Sequence, residues 1–365
     1  MSRIFLGPAL HKITGQSLAF HSAATIANQS DWVILTSKEG CSATEKLLLI
    51  VKGFTRFVLA LMTGRVRIVY LTSSRTPLGF LRDALFIIFA SMLSRAKVVN
   101  HLHGSDFKSF RSGVSSFLGA LIDWTYSRVD CSIILHESMY DQYTQYPSMR
   151  LEVVNNFLPE AEHYEDVPSV SQSGHVAIVL ISNIILEKGL VDAICAVHEL
   201  IVQGRDVSLT IAGAELDLKF DDLIAGDLIP RSYNRERIRY IGPVYGAAKR
   251  DLLSKSAIFV LPTYYEAEAM PISVIEALAS GCAVVLSDWK YLRGIFGDFG
   301  VVFCRPQSPT SVRAALESII DHPGKLARTR SVDASLARVR FSESVYKQRI
   351  SEIFGELERD FDVCT

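Results

Sequence analysis

The chain has 365 residues, 49% of them hydrophobic, and a formal net charge of −1. This length supports two hydrophobic cores better than one. Six cysteines without CxxC spacing argue against a zinc site or a disulfide framework and fit a reducing cytoplasm. The first residues, MSRIFLGPAL, are too polar for a secretory signal, and ALFIIFASML at 84–93 is about half the length of a membrane-spanning helix. We therefore expect a cytoplasmic protein rather than an integral membrane protein.

Short β-branched runs alternate with helical patterns along the whole chain. The runs that predict strands are, in order, RIFLG, DWVILTS, RIVYLTS, KVVNHLHG, CSIILHE and LEVVNNFLP, then HVAIVLIS, VSLTIAG, IRYIGPV, AIFVLPT, CAVVLSD and GVVFC. This alternation is typical of parallel sheets covered by helices on both faces. We predict an α/β protein with two Rossmann-like domains, residues 1–160 and 161–340, that face a cleft. The helical run in residues 341–365 is expected to pack back towards the first domain, and the polar stretch 158–175 is the predicted seam.

Positive charge is concentrated in the first half. Between Lys46 and Lys97 the chain has nine basic residues and one acid, Asp83, interleaved with apolar runs. Such a surface suits an anionic membrane or a phosphate-bearing partner. The alternative is a pair of core helices with solvated basic outer faces. Peripheral contact with the inner face of the membrane is thus one hypothesis for this region.

Acidic residues surround the start of one predicted helix in the second half. The strand AIFVLP ends at Pro262, the loop TYYEAEAM follows, and Pro271 is predicted to open a helix that Gly281 ends. A helix N-terminus offers free N–H groups and partial positive charge, which favour a diphosphate. Glu268 before the helix and Glu276 within it could bind sugar hydroxyls. Alternatively, acids at the helix start compensate the dipole, and Glu276 lies on an exposed face.

The segment EAMPISVIEALASGCAVV resembles the E-x7-E signature of the family 4 retaining glycosyltransferases. These enzymes have the GT-B fold and include the group 1 glycosyltransferases of bacterial polysaccharide biosynthesis. The resemblance implies a nucleotide-sugar donor in the C-terminal domain. It implies that Glu268 contacts the donor sugar and Glu276 the ribose. The helix start, formed by Met270, Pro271 and Ile272, would then face the donor diphosphate.

The segment VLISNIILEKGL, residues 179–190, places a lysine and a glycine where a helix is predicted to begin. Lys188 could reach a phosphate there, and Gly189 would allow close backbone approach. The alternative is an ordinary solvated lysine after a strand. The segment resembles the diphosphate-binding segment of the same family, in which an arginine often occupies the position of Asn183. Because asparagine brings no charge, neutralisation of the phosphate would depend more on Lys188 and the helix dipole than in relatives that have the arginine.

Two histidines alternate in NHLHGSDF, residues 100–107, which follows the strand KVV. Alternation predicts that His101 and His103 face opposite sides of the extended chain. A histidine at a strand end can hydrogen-bond a sugar or an acceptor hydroxyl. The segment resembles the family's H-x-H-G loop, which selects His103 as the residue by the donor sugar. Gly104 would allow the sugar to approach, and Asp106 is a candidate acceptor contact.

Three further segments complete the candidate site. The segment LGPALHKITGQS resembles the family's N-terminal loop, which implies that Gly15 and Gln16 border the donor diphosphate. RYIGPV resembles the strand end near the nucleotide base, at Gly242. Ser74, after the strand IVYLT, is placed on the acceptor side.

The predicted function is retaining transfer of a sugar from a nucleotide diphosphate sugar, UDP- in preference to GDP-, to a glycan or polyprenyl-diphosphate-linked acceptor in surface polysaccharide assembly. No metal-ligand spacing is found, and the resemblance to GT-B enzymes implies a metal-independent hexosyl- or glycosyltransferase without a cofactor. The nucleotide sugar is its co-substrate, and no nucleic-acid motif is present. Two other hypotheses remain: a nucleotide-sugar epimerase or related GT-B enzyme, and a non-catalytic GT-B partner subunit.

Overall fold

The structure is a computed structural model that describes residues 2–9, 15–37, 42–159, 174–216 and 218–363. The chain divides into two compact units. The first unit comprises residues 1–156 and 343–365, and the second comprises residues 157–342. Much of the predicted seam, residues 160–173, lies outside the described residues. Within the described ranges, no helix is both long enough and apolar enough to span a bilayer.

The first unit is built on a parallel sheet. Its strands are β1 (Ser2–Pro8), β2 (Trp32–Ser37), β3 (Val66–Thr72), β4 (Lys97–His101), β5 (Cys131–Ile134) and β6 (Arg150–Val153), in the order β2-β1-β3-β4-β5-β6. The helices between them are α1 (Gly15–Ala24), α2 (Ala43–Met62), α3 (Pro77–Leu93), α4 (Phe107–Gly113) and α5 (Ser116–Tyr126). A short 3-10 helix, Glu137–Tyr143, follows β5. The apolar stretch at 84–93 is part of α3.

The second unit repeats this architecture. Its strands are β7 (Val176–Ile181), β8 (Val207–Ala212), β9 (Ile238–Tyr240), β10 (Ile258–Leu261), β11 (Ala283–Ser287) and β12 (Val302–Cys304), in the order β12-β11-β10-β7-β8-β9. Its helices are α6 (Leu190–Val202), α7 (Phe220–Ala225), α8 (Gly246–Ser254), α9 (Ile272–Ala279), α10 (Leu292–Phe296), α11 (Pro309–Ile320), α12 (Pro323–Arg328) and α13 (Ala334–Arg340). All the strand pairs in both sheets are parallel. The α/β prediction and all twelve predicted strands are therefore confirmed.

Helix α14 (Glu343–Val363) ends the described chain and packs within the first unit. The ring of Phe354 meets Phe5 edge-on at a centroid distance of 5.9 Å, and it meets Tyr70 at 5.7 Å. The guanidinium Nε of Arg3 donates to Glu358 at 2.8 Å. The last helix thus supplies core side chains to a sheet whose strands come from the start of the chain.

Local sequence signals explain several helix ends. Ser42 and Glu45 form a capping box at the start of α2, which satisfies two backbone N–H groups. Thr76 caps α3 through the Gly79 N–H. Gly281, with φ of 78°, has the left-handed conformation predicted for the residue that ends α9.

Helix α6 shows how the sequence pattern sets packing in the second unit. Its buried apolar positions recur at helical spacing, which puts one stripe on the sheet: Leu190, Ala193, Ile194, Val197 and Leu200. This packing fixes the start of α6, and with it the loop that carries Lys188.

Candidate functional site

Lys188 and Glu268 form an ion pair at the carboxyl ends of two neighbouring strands. Lys188 follows β7 and Glu268 follows β10, and these two strands pair in the sheet. The ammonium Nζ of Lys188 donates to Glu268 Oε2 at 2.6 Å. The side chains are only 15% and 7% exposed, so the alternative of a solvated lysine is wrong. The carboxyl ends of parallel strands are where α/β proteins bind ligands.

The carboxylate of Glu268 is also fixed by the loop that carries it. Thr263 Oγ1 donates to the same oxygen, Oε2, at 3.0 Å. The ring of Tyr265 lies beneath the ammonium of Lys188, 4.7 Å from Nζ to the ring centroid. The backbone N–H of Tyr264 donates to the Glu187 carbonyl at 2.7 Å, which ties the two loops together. The charged pair is therefore held by a rigid pair of loops.

Gly189 allows close packing against the end of a neighbouring strand. It has φ of 76°, and a Cβ there would lie 2.1 Å from the carbonyl oxygen of Pro262. The missing side chain thus lets the Lys188 loop press against the end of β10. The carbonyl of Pro262 fills the space that a side chain at this position would occupy.

The helix behind Glu268 begins one residue later than predicted. Pro271 has φ of −66° and ψ of 121°, an extended conformation, so it caps the helix and Ile272 is its first residue. Met270 is 3% exposed, Pro271 is buried and Ile272 is partly buried. The N-terminus of α9 nevertheless lies directly after the loop that holds Glu268.

Glu276 is buried on α9 and paired with a lysine that sequence reasoning missed. Its side chain is 3% exposed, which excludes the alternative of an exposed face. The ammonium Nζ of Lys249, on α8, donates to Glu276 Oε1. Lys249 is not part of any motif singled out in the sequence. No sequence spacing indicates which residues of α8 and α9 are in contact, so this pair is seen only in the folded structure.

Two other predicted donor residues lie on loops of the second unit. Asn183 is exposed after β7, and its carbonyl accepts from the Ser182 hydroxyl at 3.0 Å. Gly242 follows β9 with φ of 77°, and its carbonyl accepts from the Gly213 N–H at 3.0 Å. A Cβ on Gly242 would meet no atom within 4 Å. Both residues therefore border open space.

In the first unit, the rings of His101 and His103 lie against each other. Their centroids are 4.0 Å apart with an interplanar angle of 31°. The prediction of opposite faces is wrong because β4 ends at His101 and the alternation of an extended strand does not continue.

Burial and charge keep both histidines neutral. Burial, and then the positive charge of Arg75, lowers the pKa of His103 to about 3. A hydrogen bond with Asn156 acts in the opposite direction and raises this pKa. Burial, and then repulsion from His103, lowers the pKa of His101 well below its usual value. A neutral imidazole can accept a proton or a hydrogen bond from a hydroxyl.

Arg75 occupies the space next to His103 that was assigned to a sugar. A Cβ on Gly104 would lie 2.5 Å from Arg75 Cζ, so the glycine makes room for the guanidinium. Arg75 Nε pairs with Asp106 Oδ1. Asp106, predicted to contact the acceptor, therefore carries an ion pair in this structure. Arg75 follows Ser74 in the chain, but no sequence signal indicated that it lies close to Gly104.

The remaining predicted residues of the first unit lie after β1 and β3. The backbone N–H of Ser74 donates to Asp83 Oδ2 at 2.8 Å. Gln16, in the first turn of α1, donates from Nε2 to the Ser73 carbonyl at 3.4 Å. Gly15 begins α1 and is exposed. The loop before it, residues 10–14, lies outside the described residues.

The described residues thus bring the predicted positions into two groups, one in each unit. The first unit gathers His103, Asp106, Ser74 and Gln16 near the ends of β1, β3 and β4. The second gathers Lys188, Glu268 and the start of α9. Among the positions that the structure covers, no three His, Cys, Asp or Glu residues form a cluster that could hold a metal ion.

Comparison with known families finds a similarity over most of the second unit. Residues 166–332 match the family model described as "Glycosyl transferases group 1". This part of the chain is similar to the group 1 glycosyl transferases. The match covers β7 to α12. It therefore includes the two ion pairs of the second unit, Lys188 with Glu268 and Lys249 with Glu276.

Two further comparisons extend to most of the chain. The glycogen synthase of Mycobacterium tuberculosis is 26% identical over 240 residues, covering 63% of this chain and 56% of that protein. The chain thus aligns with about half the length of that curated relative. Anabaena Alr3699/HepE, solved in complex with UDP-glucose, superposes with a TM-score of 0.73 at 16% identity, covering 98% of this chain and 100% of that one.

Sucrose-phosphate synthase from Thermosynechococcus elongatus superposes with a TM-score of 0.70 at 12% identity, and the alignment covers 100% of both chains. These structural likenesses, together with two parallel six-stranded sheets, establish the GT-B fold that the sequence predicted.

Proposed function

We propose that this protein is a retaining glycosyltransferase that moves a sugar from a UDP-sugar to a glycan or lipid-linked acceptor in surface polysaccharide assembly. The observation that carries the proposal is the ion pair of Lys188 and Glu268 beside the start of α9, within a segment that matches the group 1 glycosyl transferases. The choice of UDP is supported by the Anabaena relative, whose structure holds UDP-glucose.

On the donor side, each charged residue has one role. Lys188 binds the diphosphate together with the N–H groups at the N-terminus of α9, while Gly242 and Asn183 border the nucleotide. Glu276 binds the ribose hydroxyls, with Lys249 holding its carboxylate in place. Glu268 contacts the donor sugar. Because Lys188 already contacts Glu268, an incoming diphosphate competes with that carboxylate for the ammonium.

Transfer requires departure of the nucleoside diphosphate while positive charge develops on the sugar ring. Lys188 and the dipole of α9 stabilise the negative charge on the leaving group, and this requires no metal ion or cofactor. The acceptor hydroxyl attacks on the same face, which retains the anomeric configuration. Neutral His103 accepts a hydrogen bond from the sugar and orients it.

The acceptor side is assigned to the first unit. Ser74 and Asp106 lie at the ends of β3 and β4, with Arg75 beside them. Arg75 also gives this region a positive charge that suits a diphosphate-linked acceptor. Gln16 and Gly15 border the donor diphosphate from the start of α1.

Helix α2 supports contact with the membrane that holds such an acceptor. Its outward residues include large apolar side chains that are 54–76% exposed: Leu47, Leu48, Val51, Leu59 and Met62. Lys46, Lys52 and Arg56 are exposed on the same helix. An amphipathic helix with basic flanks binds anionic bilayers peripherally.

A thermal-shift panel tests the proposed donor class. The panel contains UDP, GDP, ADP and their common sugar conjugates. A ligand that binds only the folded state raises Tm by mass action. We expect UDP and a UDP-sugar to raise the Tm of the wild type, and Lys188→Ala to lose this response. If no nucleotide raises the Tm at millimolar concentration, the non-catalytic partner subunit becomes the better hypothesis. Conversion of the donor to an isomer without an acceptor would instead identify an epimerase.

A further inference from the structure

The segment 287–290, at the carboxyl end of β11, binds the loop that carries Glu268, and the proposed transfer gives this segment no role. Strands β10 and β11 pair in the sheet, so the chain segments that follow them leave it side by side. Three side chains of the segment donate to three main-chain carbonyls of the loop: Ser287 to Thr263, Trp289 to Tyr265 and Lys290 to Glu266.

The carbonyl of Tyr265 connects this anchoring directly to Glu268. It accepts a hydrogen bond from Trp289 Nε1 at 3.0 Å, and it accepts another from the backbone N–H of Glu268, also at 3.0 Å. The ring of Tyr265 lies beneath the ammonium group of Lys188. Trp289 therefore fixes a turn that sets the main chain of Glu268 and also the aromatic ring under its partner.

Lys290 holds the next carbonyl from a strained backbone. Its φ is 45°, a left-handed value that lysine rarely adopts. Its side chain is only 19% exposed, and Nζ lies 2.8 Å from Glu266 Oε1 while it also donates to the Glu266 carbonyl. Backbone strain persists only where surrounding contacts over-determine it, and such positions cluster at functional sites. The contacts that hold this turn include the two with Glu266, which lies two positions before Glu268.

A role in stability alone explains only part of this arrangement. Thr263 and Ser287 are both 0% exposed, so their hydrogen bond satisfies a carbonyl that water cannot reach. The side chain of Glu266 is 57% exposed and could be solvated without a lysine. Since an ion pair with such an exposed partner contributes little to stability, the pair does not by itself explain why Lys290 adopts a left-handed conformation.

We propose that Trp289 and Lys290 are positioning residues for Glu268, which fix the main chain of its loop so that its carboxylate meets the donor sugar. The inference rests on the proposed function for the identity of that substrate. In the ligand-free protein Glu268 is bound to Lys188. When this ammonium group turns to the diphosphate, Glu268 loses a side-chain partner and the main-chain anchors remain. The anchors therefore matter most in the donor complex.

The first test measures amide hydrogen exchange in the ligand-free protein and does not depend on activity. Trp289→Phe removes the indole N–H and keeps an aromatic ring. Lys290→Gly removes the ammonium group and suits the left-handed backbone. Each variant should speed exchange in a peptide covering residues 263–270 by roughly two- to tenfold, because the loop loses one hydrogen bond. Lys290→Arg keeps a cation and should restore the wild-type rate.

Asp227→Gly is the matched control for the glycine variant. Asp227 also has a left-handed φ, of 52°, and it forms an ion pair with Arg231 in the chain between α7 and β9. Its replacement by glycine relieves the same kind of strain and removes an ion pair, but it should leave exchange in residues 263–270 unchanged. Unchanged exchange in both Trp289→Phe and Lys290→Gly, or an equal increase in Asp227→Gly, would overturn the proposal.

The second test measures turnover of UDP-glucose to UDP, and this part alone requires the proposed function to be correct. Trp289→Phe and Lys290→Gly should each lower kcat about tenfold or more, because a displaced positioning group slows the chemical step. Affinity for UDP, which has no sugar for Glu268 to contact, should stay at the wild-type value. A wild-type kcat in variants whose loop exchanges faster would overturn the positioning role. Faster exchange in variants of a protein that never turns over UDP-glucose would support the anchoring and contradict only the transferase assignment.

Discussion

Lys188 and Glu268 are 80 positions apart in the chain, yet their charged groups meet at 2.6 Å on adjacent strand ends. Neither side chain is more than 15% exposed, so each has lost most of its hydration. Removing one partner of such a pair leaves the other charge buried and uncompensated. The pair is therefore a determinant of stability, and under the proposed function its ammonium group is the one that binds the donor diphosphate.

The first prediction concerns the stability of the ligand-free protein. Lys188→Ala should lower the free energy of unfolding by about 3 kcal/mol, because Glu268 then remains buried without its partner. Urea denaturation measures this loss. Lys255→Ala removes a lysine from the exposed pair with Asp251 and should cost less than about 1 kcal/mol. Equal losses in the two variants would show that the Lys188 pair is no better shielded from solvent than the surface pair.

The second prediction concerns nucleotide binding by the buried Glu276. Glu276→Ala should weaken UDP binding by roughly ten- to hundredfold, the loss expected for a charged hydrogen-bond acceptor. Lys249→Ala should also weaken binding, since it frees the carboxylate to reorient. Isothermal titration with UDP measures both. Glu317→Ala, on the partly exposed pair with Arg313, serves as the control and should bind UDP normally.

The third prediction separates backbone strain from close packing at two left-handed glycines. Gly204 has φ of 82°, and a Cβ at this position would meet no atom within 4 Å, so Gly204→Ala should cost about 1 kcal/mol. Gly189→Ala adds a collision with the Pro262 carbonyl and should cost about 3 kcal/mol or more. It should also reduce UDP affinity, because the Lys188 loop must move. If chemical denaturation gave similar losses of stability for Gly204→Ala and Gly189→Ala, this account would be contradicted.

The fourth prediction follows from the pKa of His103. Its folded pKa is lowered from 6.5 to about 3, so between these values the unfolded chain binds more protons than the folded one. Stability should therefore fall as pH decreases from about 6.5, by up to about 1.4 kcal/mol per pH unit for this group. His103→Gln should show a shallower fall in denaturation curves recorded from pH 7 to pH 4. Parallel curves for the two proteins would contradict burial of a neutral His103.

The fifth prediction concerns helix α2. Wild-type protein should sediment with phosphatidylglycerol vesicles, and binding should weaken as salt screens the basic residues. A Leu48→Ser, Leu59→Ser double variant should bind less at every salt concentration, because it loses apolar contact. The matched control is Val202→Ser with Val339→Ser, two side chains that are each 72% exposed in the second unit. Equal binding by both double variants would argue against α2 as the contact surface.

The positions of the strands along the chain could be predicted from sequence because each strand is a compact β-branched run bounded by polar or glycine residues. The position of Glu268 after β10 followed from the same reasoning, since Pro262 marks the strand end. Long-range partners could not be predicted in this way. The pairing of Lys249 with Glu276 depends on how α8 and α9 pack, and no local spacing encodes that.

The errors arose where the chain leaves regular structure. The expected alternation of His101 and His103 failed because β4 stops between them, and strand ends are poorly defined by local pattern. Gly104 and Gly189 were correctly singled out as positions of close approach. What approaches them is Arg75 in one case and the Pro262 carbonyl in the other, which only three-dimensional packing reveals.

The first unit is discontinuous in sequence, because α14 returns to it after the whole second unit has been traversed. During synthesis, the core contacts of Phe5 and Tyr70 with Phe354 cannot form until Phe354 itself has been translated. The second unit, by contrast, is one uninterrupted segment that is complete before α14 emerges. We therefore expect the usual order of domain folding to be inverted, with the later-made unit reaching its native packing before the earlier-made one.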